Sequence, residues 1–190
     1  MFTDVQPLIQ SVMDGFNVCV FAYGQTGSGK TYTMEGSVTD PGVTSRAFAE
    51  IFRVAEESWG AYQYEFSVSL MEIYNETIRD LLEAKAAFGQ QQLKHEVKLT
   101  DVGEVYVTNA LKKTVESPAE FQALMHAGVK NRTTGATKMN DRSSRSHLIM
   151  IIEVKQHNMV KNSVVRSKLS LVWEGVNHCR SHCRLRNSVV

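Results

Sequence analysis

The chain has 190 residues, 43% of them hydrophobic and 22% charged, with a formal net charge of +1. Such a composition suits one soluble domain with a real core and excludes recognition of a polyanion by global charge, so any anion site must be a local patch. Three cysteines exclude a disulfide framework, and no stretch reaches the ~20 apolar residues of a membrane span.

Met1-Phe2-Thr3-Asp4 lacks the basic start and long apolar run of a signal peptide, so an intracellular, reducing compartment is expected. Thr3-Asp4-Val5-Gln6 has capping-box spacing. Val5, Leu8, Ile9, Val12 and Met13 recur on one helical face, and Gly15 suits the helix end. Pro7 falls later than the first-turn position prolines favour. Val18 to Tyr23 is apolar on both faces and reads as a central parallel strand.

Directly after it comes Gly24-Gln25-Thr26-Gly27-Ser28-Gly29-Lys30-Thr31. Glycine at both ends of a short run, then lysine and threonine, between a strand and a helix, is the spacing of a phosphate-binding loop. Glycines let the backbone curl and bring several N–H donors to the phosphate oxygens. The positive end of the following helix faces the same anion. Lys30 is placed to neutralise the outer phosphates, and Thr31 to offer a hydroxyl to Mg²⁺.

Residues 35–42 are a loop by composition. Phe48, Ile51, Phe52 and Ala55 mark a second helix. Tyr64, Phe66, Val68 and Leu70 alternate with polar residues as in a strand with one face less buried, running on to Tyr74. Asn75 to Leu82 reads as a short helix, and residues 83–93 as a surface connection. Lys94–Leu99 and Glu104–Val107 read as a hairpin. Ser117-Pro118-Ala119-Glu120 starts a helix with a capping serine, proline at the first position and glutamate at the third, its core face carrying Phe121, Leu124 and Met125. Leu148–Ile152 and Leu169–Val172 are buried strands. Strands alternating with helices give the α/β class.

Asn140-Asp141-Arg142-Ser143-Ser144-Arg145-Ser146-His147 gathers three hydroxyls, two guanidiniums and an imidazole. Taken alone, such a run also suits a solvated loop or a kinase phosphosite. Beside a phosphate loop it can offer a hydroxyl to Mg²⁺ or to a terminal phosphate, and an arginine to a carboxylate.

Three motifs in order now carry a resemblance. Phe21-Ala22-Tyr23 through Lys30-Thr31-Tyr32-Thr33-Met34 resembles the nucleotide loop of the kinesin motor domain. Glu72-Ile73-Tyr74-Asn75-Glu76 with Asp80-Leu81-Leu82, and the Asn-x-x-Ser-Ser-Arg-Ser-His run, match two further signatures of that family. The likeness covers about residues 1–172 and is greatest to the C-terminal-motor, kinesin-14 class. It implies a P-loop NTPase-type three-layer α/β fold with a mostly parallel central sheet. It implies ATP held by Gly24, Gln25, Thr26, Gly27, Ser28, Gly29, Lys30 and Thr31, with Tyr32 beside the adenine. Ser143 and Ser144 are then expected near the γ-phosphate, Mg²⁺ and the attacking water, with Thr31 and Ser144 as metal ligands. Arg145 is expected to pair with a glutamate of the second switch. The parent activity is ATP-driven movement on microtubules in the cytoplasm and cytoskeleton, with no nucleic acid or membrane partner. Lys112 and Lys113 fall in a region that family members use as a minor microtubule contact, and equally suit a solvated surface.

The likeness stops after Val172. Where a kinesin reads Asp-Leu-Ala-Gly-Ser-Glu, this chain reads Trp173-Glu174-Gly175-Val176-Asn177-His178. The aspartate near Mg²⁺, the glycine that senses the γ-phosphate and the partner of Arg145 are therefore missing, and little or no turnover is expected. Residues 1–172 read as a partial motor domain and 173–190 as a divergent, disordered basic tail. Its His178, Cys179, His182 and Cys183 hint at zinc, but their spacing departs from that of productive sites and favours a tail without metal. With the family's preceding strands, adenine clamp and later microtubule-binding helices outside the chain, the strand at 18–23 is expected at an apolar sheet edge that favours aggregation. Two other readings stand beside the motor: a non-cycling nucleotide-binding or competitor module, and a truncated product without function. A P-loop kinase or small GTPase is more distant, since neither carries the Ser-Ser-Arg-Ser-His run.

Overall fold

The computed structural model describes residues 2–25, 27–37, 39–83, 93–134 and 146–175. In chain order the elements are α1 (Phe2–Met13), β1 (Val18–Gly24), α2 (Lys30–Glu35), α3 (Val43–Glu57), β2 (Tyr62–Tyr74), β3 (Thr77–Asp80), β4 (Val97–Leu99), β5 (Val105–Val107), β6 (Lys113–Thr114), α4 (Pro118–Thr134), β7 (Ser146–Asn158) and β8 (Ser163–Gly175).

The main sheet has the order β1-β8-β7-β2-β3, with β6 added against β2. The class is α/β, and the sheet is mixed rather than mostly parallel. Among the described strands β1 and β8 alone run parallel, and the remaining pairs are antiparallel. Part of the reason is local: β2–β3 and β7–β8 are joined by tight connections, which can only reverse the chain. Among the described strands β1 stands at the end of the order, paired to β8, at the sheet edge expected for 18–23 when the family's preceding strands lie outside the chain and not at the centre its apolar faces alone suggest.

One face of the sheet carries the core. Val18, Val20 and Ala22 of β1, Leu169, Leu171 and Trp173 of β8, Leu148, Met150 and Ile152 of β7, and Phe66, Val68 and Leu70 of β2 share it. Helices α1, α3 and α4 bury their apolar sides on that same face through Ile9, Val12, Phe48, Ile51, Phe121 and Met125, joined by Met34 of α2. Among the described residues, then, the helical layer lies on one side of the sheet. Phe21 and Tyr23 point to the other side and stay 44% and 71% exposed. The rings of Phe48 and Phe121 stack with centroids 3.8 Å apart, fixing α3 against α4.

Local signals explain most element ends. After α1, Gly15 takes φ 101°. Gly15 N donates to Val12 O and Phe16 N to Ser11 O, the paired bonds of a Schellman end. Thr3 lies inside α1 instead of capping it, because Phe2 packs against the core and draws the first turn into the helix. Ser117 Oγ accepts from Glu120 N at 3.2 Å, the expected cap of α4. The short helix expected over Asn75–Leu82 is instead a hairpin. Asn75 and Glu76 both take left-handed φ, 48° and 62°, as a type I′ turn requires. Asp80, at the end of β3, then accepts from Leu82 N and Leu111 N and pins that edge. The 94–107 hairpin forms as β4 and β5. β8 continues through Trp173 to Gly175, and residues 176–190, with the candidate zinc ligands, lie outside the described residues.

Candidate functional site

β1 ends at Gly24 and α2 begins at Lys30, so Gln25 to Gly29 form the turn between them. Gly27 and Gly29 sit at φ 81° and 86°, a region that side chains with a Cβ avoid. A Cβ on Gly24 would come within 2.5 Å of the Ser28 hydroxyl. Thr26 lies outside the described residues.

The loop closes on its own lysine. Lys30 Nζ donates to Gly24 O at 2.6 Å and to Gln25 O at 2.7 Å, and Ser28 N donates to Gln25 O at 3.2 Å. Thr33 N donates to Gly29 O and starts the helical ladder. Thr31 is exposed on the first turn. A curled glycine backbone around a part-buried ammonium fits a polyphosphate. Mg²⁺ takes few protein ligands and completes its shell with phosphate and water, so the Thr31 hydroxyl suits that ion without an acidic cluster. Indeed no group of three or more His, Cys, Asp or Glu gathers among the described residues.

Two polar groupings adjoin α2. Tyr32, 60% exposed, donates its hydroxyl to Asp40 Oδ2 at 3.0 Å. Asp40 Oδ1 accepts from Arg46 Nη2 at 2.7 Å, and Arg46 Nε donates to Pro41 O at 2.6 Å. Beyond the far end of α2, Arg132 near the end of α4 donates to Glu72 Oε1 at 3.3 Å and to Ser146 Oγ at 2.9 Å. Glu72 and Ser146 are both buried. Burial raises the Glu35 carboxyl above its ordinary range, against an opposing pull from Arg132. Arg132 thus ties α4 to β2 and to the first residue of β7, with the last residue of α2 close enough to feel its charge.

Of the residues expected at the site, Gly24, Gln25, Gly27, Ser28, Gly29, Lys30, Thr31 and Tyr32 are contiguous in the described loop and helix. Ser143, Ser144 and Arg145 lie outside the described residues. Their neighbours Ser146 and His147 open β7; His147 Nδ1 is buried with no hydrogen-bond partner among the described residues. Lys112 meets Glu153 at 2.7 Å, and Lys113 is exposed in β6. Asp40, Arg46 and Arg132 carried no signal as site residues, since their partners are reached through space.

The sequence profile of the kinesin motor domain matches residues 1–173. The kinesin-like protein KIN-14E of Oryza sativa subsp. japonica is 42% identical over 172 residues, covering 90% of this chain and 16% of that protein. The kinesin-like protein klp-3 of Caenorhabditis elegans is 40% identical over 172 residues, covering 90% of this chain and 28% of its own. Among solved structures, a fast kinesin superposes with a TM-score of 0.82 at 36% identity, over 93% of this chain and 49% of that one. The motor domain of Kar3, a Saccharomyces cerevisiae kinesin-related protein, gives 0.77 at 34% identity, over 93% and 52%. The chain therefore spans about half of the solved motor domains and under a third of these two curated relatives.

Proposed function

The chain belongs to the kinesin motor-domain family, and from that premise we propose that it binds Mg·ATP through Gly24–Thr31 as part of a microtubule motor. The reading rests above all on the glycine loop closed around the Lys30 ammonium at the end of β1. In this reading Lys30 and the loop amides hold the β- and γ-phosphates, and the Thr31 hydroxyl faces Mg²⁺. Tyr32 lies beside the adenine. Ser143 and Ser144 supply hydroxyls to the γ-phosphate and Mg²⁺, while Arg145 faces a second switch whose glutamate this sequence does not carry after Val172. Bound Mg²⁺ contributes charge neutralisation at the phosphates. The surface over 94–113 meets tubulin weakly, placing the protein on the cytoskeleton. Residues 1–172 are the partial motor domain and 173–190 a divergent tail.

A second reading is favoured by one observation. Trp173 is buried at 3% exposure, at the position where the family resemblance expects the aspartate near Mg²⁺. An indole cannot accept from metal-bound water. The chain then holds nucleotide without cycling, or competes with complete motors.

The deciding measurement for the shared part is the affinity for a ribose-labelled fluorescent ATP, wild type against Lys30→Ala. Loss of a charged hydrogen-bond donor corresponds to about 10- to 100-fold weaker binding. Equal affinities remove the loop from the account.

A further inference from the structure

Beside the phosphate loop, a solvent-exposed ring is held more firmly than its exposure explains. Tyr32 sits in the first turn of α2 with its ring largely in water, yet its hydroxyl is fixed on Asp40 Oδ2. The second oxygen of that carboxylate takes Arg46, which stands on the first turn of α3 and also holds Pro41 O. The backbone carrying Asp40 is closed as well. Ser37 N donates to Asp40 O at 2.8 Å, Asp40 N to Ser37 Oγ at 3.0 Å, and Gly42 N to Glu35 O at 3.1 Å. Gly36, at φ 76°, permits the close return, since a Cβ there would overlap the backbone of Gly42.

Exposed ion pairs contribute little to stability. Two charge-assisted bonds meeting on the Asp40 carboxylate, one of them from the Tyr32 hydroxyl, therefore do little for the fold. What they do is remove the rotational freedom of that ring. The carboxylate also holds the phenol above its usual range.

We propose that Asp40, braced by Arg46, is a positioning residue that pre-sets the Tyr32 ring as a platform for the base of the bound nucleotide. The inference rests on the reading of Gly24–Thr31 as the phosphate site with Tyr32 beside the base, and adds to it a second anchor, Asp40 with Arg46, that acts on the base alone. An oriented ring spares the ordering cost that binding otherwise carries, which corresponds to a gain in affinity of about three- to tenfold.

The test compares two ligands on the full chain: ATP, and inorganic tripolyphosphate, which has the phosphates but no base. Asp40→Ala and Tyr32→Phe are each expected to weaken ATP about three- to tenfold, with the double variant no weaker than either single one. Tripolyphosphate affinity stays unchanged in all three. Lys30→Ala weakens both ligands. If Asp40→Ala and Tyr32→Phe leave ATP binding at the wild-type level while Lys30→Ala weakens both, the positioning role is overturned and the phosphate site stands. If Asp40→Ala weakens both ligands equally, the loop acts as general scaffold and the role is likewise overturned. If Lys30→Ala changes neither, the phosphate site itself falls, and the inference with it.

Discussion

Glu35 closes α2 with its carboxyl largely out of water, and that burial raises its pKa from the ordinary 4.5, only partly offset by Arg132. A group whose folded-state pKa is raised favours the fold when protonated. Its contribution is complete below the unfolded value near 4.5 and is lost as pH rises through the folded value. Wild type therefore loses stability on going from about pH 4.5 toward neutrality, and Glu35→Gln removes that slope. Urea midpoints at several pH values between 4 and 7 check this, and parallel curves for the two proteins would contradict it. Glu50 works in a neighbouring window with the opposite sign. Arg53 and Gln6 hold its carboxyl down to about 2, so what it contributes is lost only as pH falls below the ordinary carboxylate range. Because Glu50 is common to both proteins, it cancels in the comparison.

At the level of elements, the weight rests on α3 and α4 meeting over β2. Phe121 is buried completely and lies flat on Phe48 with 7° between the rings. Phe121→Ala is expected to cost about 3–5 kcal/mol of unfolding free energy, measured by chemical denaturation, because the helices cannot collapse into the space left by a stacked pair. A cost below ~1 kcal/mol would mean that the two helices close up freely. The helices were legible because capping and periodicity are local: Ser117 and Pro118 announce α4, and Val5, Ile9 and Val12 announce the face of α1. The hairpin at Asn75-Glu76 is hidden in the sequence, since an Asn-Glu turn lacks the glycine that usually marks a type I′ connection. The outer halves of β7 and β8 were not read at all. Lys155, Gln156 and His157 are half-exposed and polar, so no alternation shows. At the site, the loop from Gly24 to Thr31 was legible because its chemistry is contiguous in sequence. Arg132 and Glu72 were not, being 60 residues apart and joined by the pairing of β2 with β7 and the packing of α4.

For the molecule as a whole, the parallel pairing of β1 with β8 sets Gly24 and Gly175 side by side at one end of the sheet. The phosphate loop leaves from the first of these strands. The second reaches that end with Trp173 packed in the core in place of the carboxylate expected from the family resemblance. Catalysis of phosphoryl transfer depends on positioned charge, and the loss of one such group costs roughly 10²- to 10³-fold in rate. Microtubule-stimulated phosphate release is thus expected to fall at least about 10²-fold below that of a complete kinesin motor domain assayed alongside. A comparable rate would show that the chain manages without that charge.

The lysine of the loop rests with its ammonium on two carbonyl dipoles of its own backbone. On the proposed reading, loading exchanges those two oxygens for phosphate oxygens at the same ammonium.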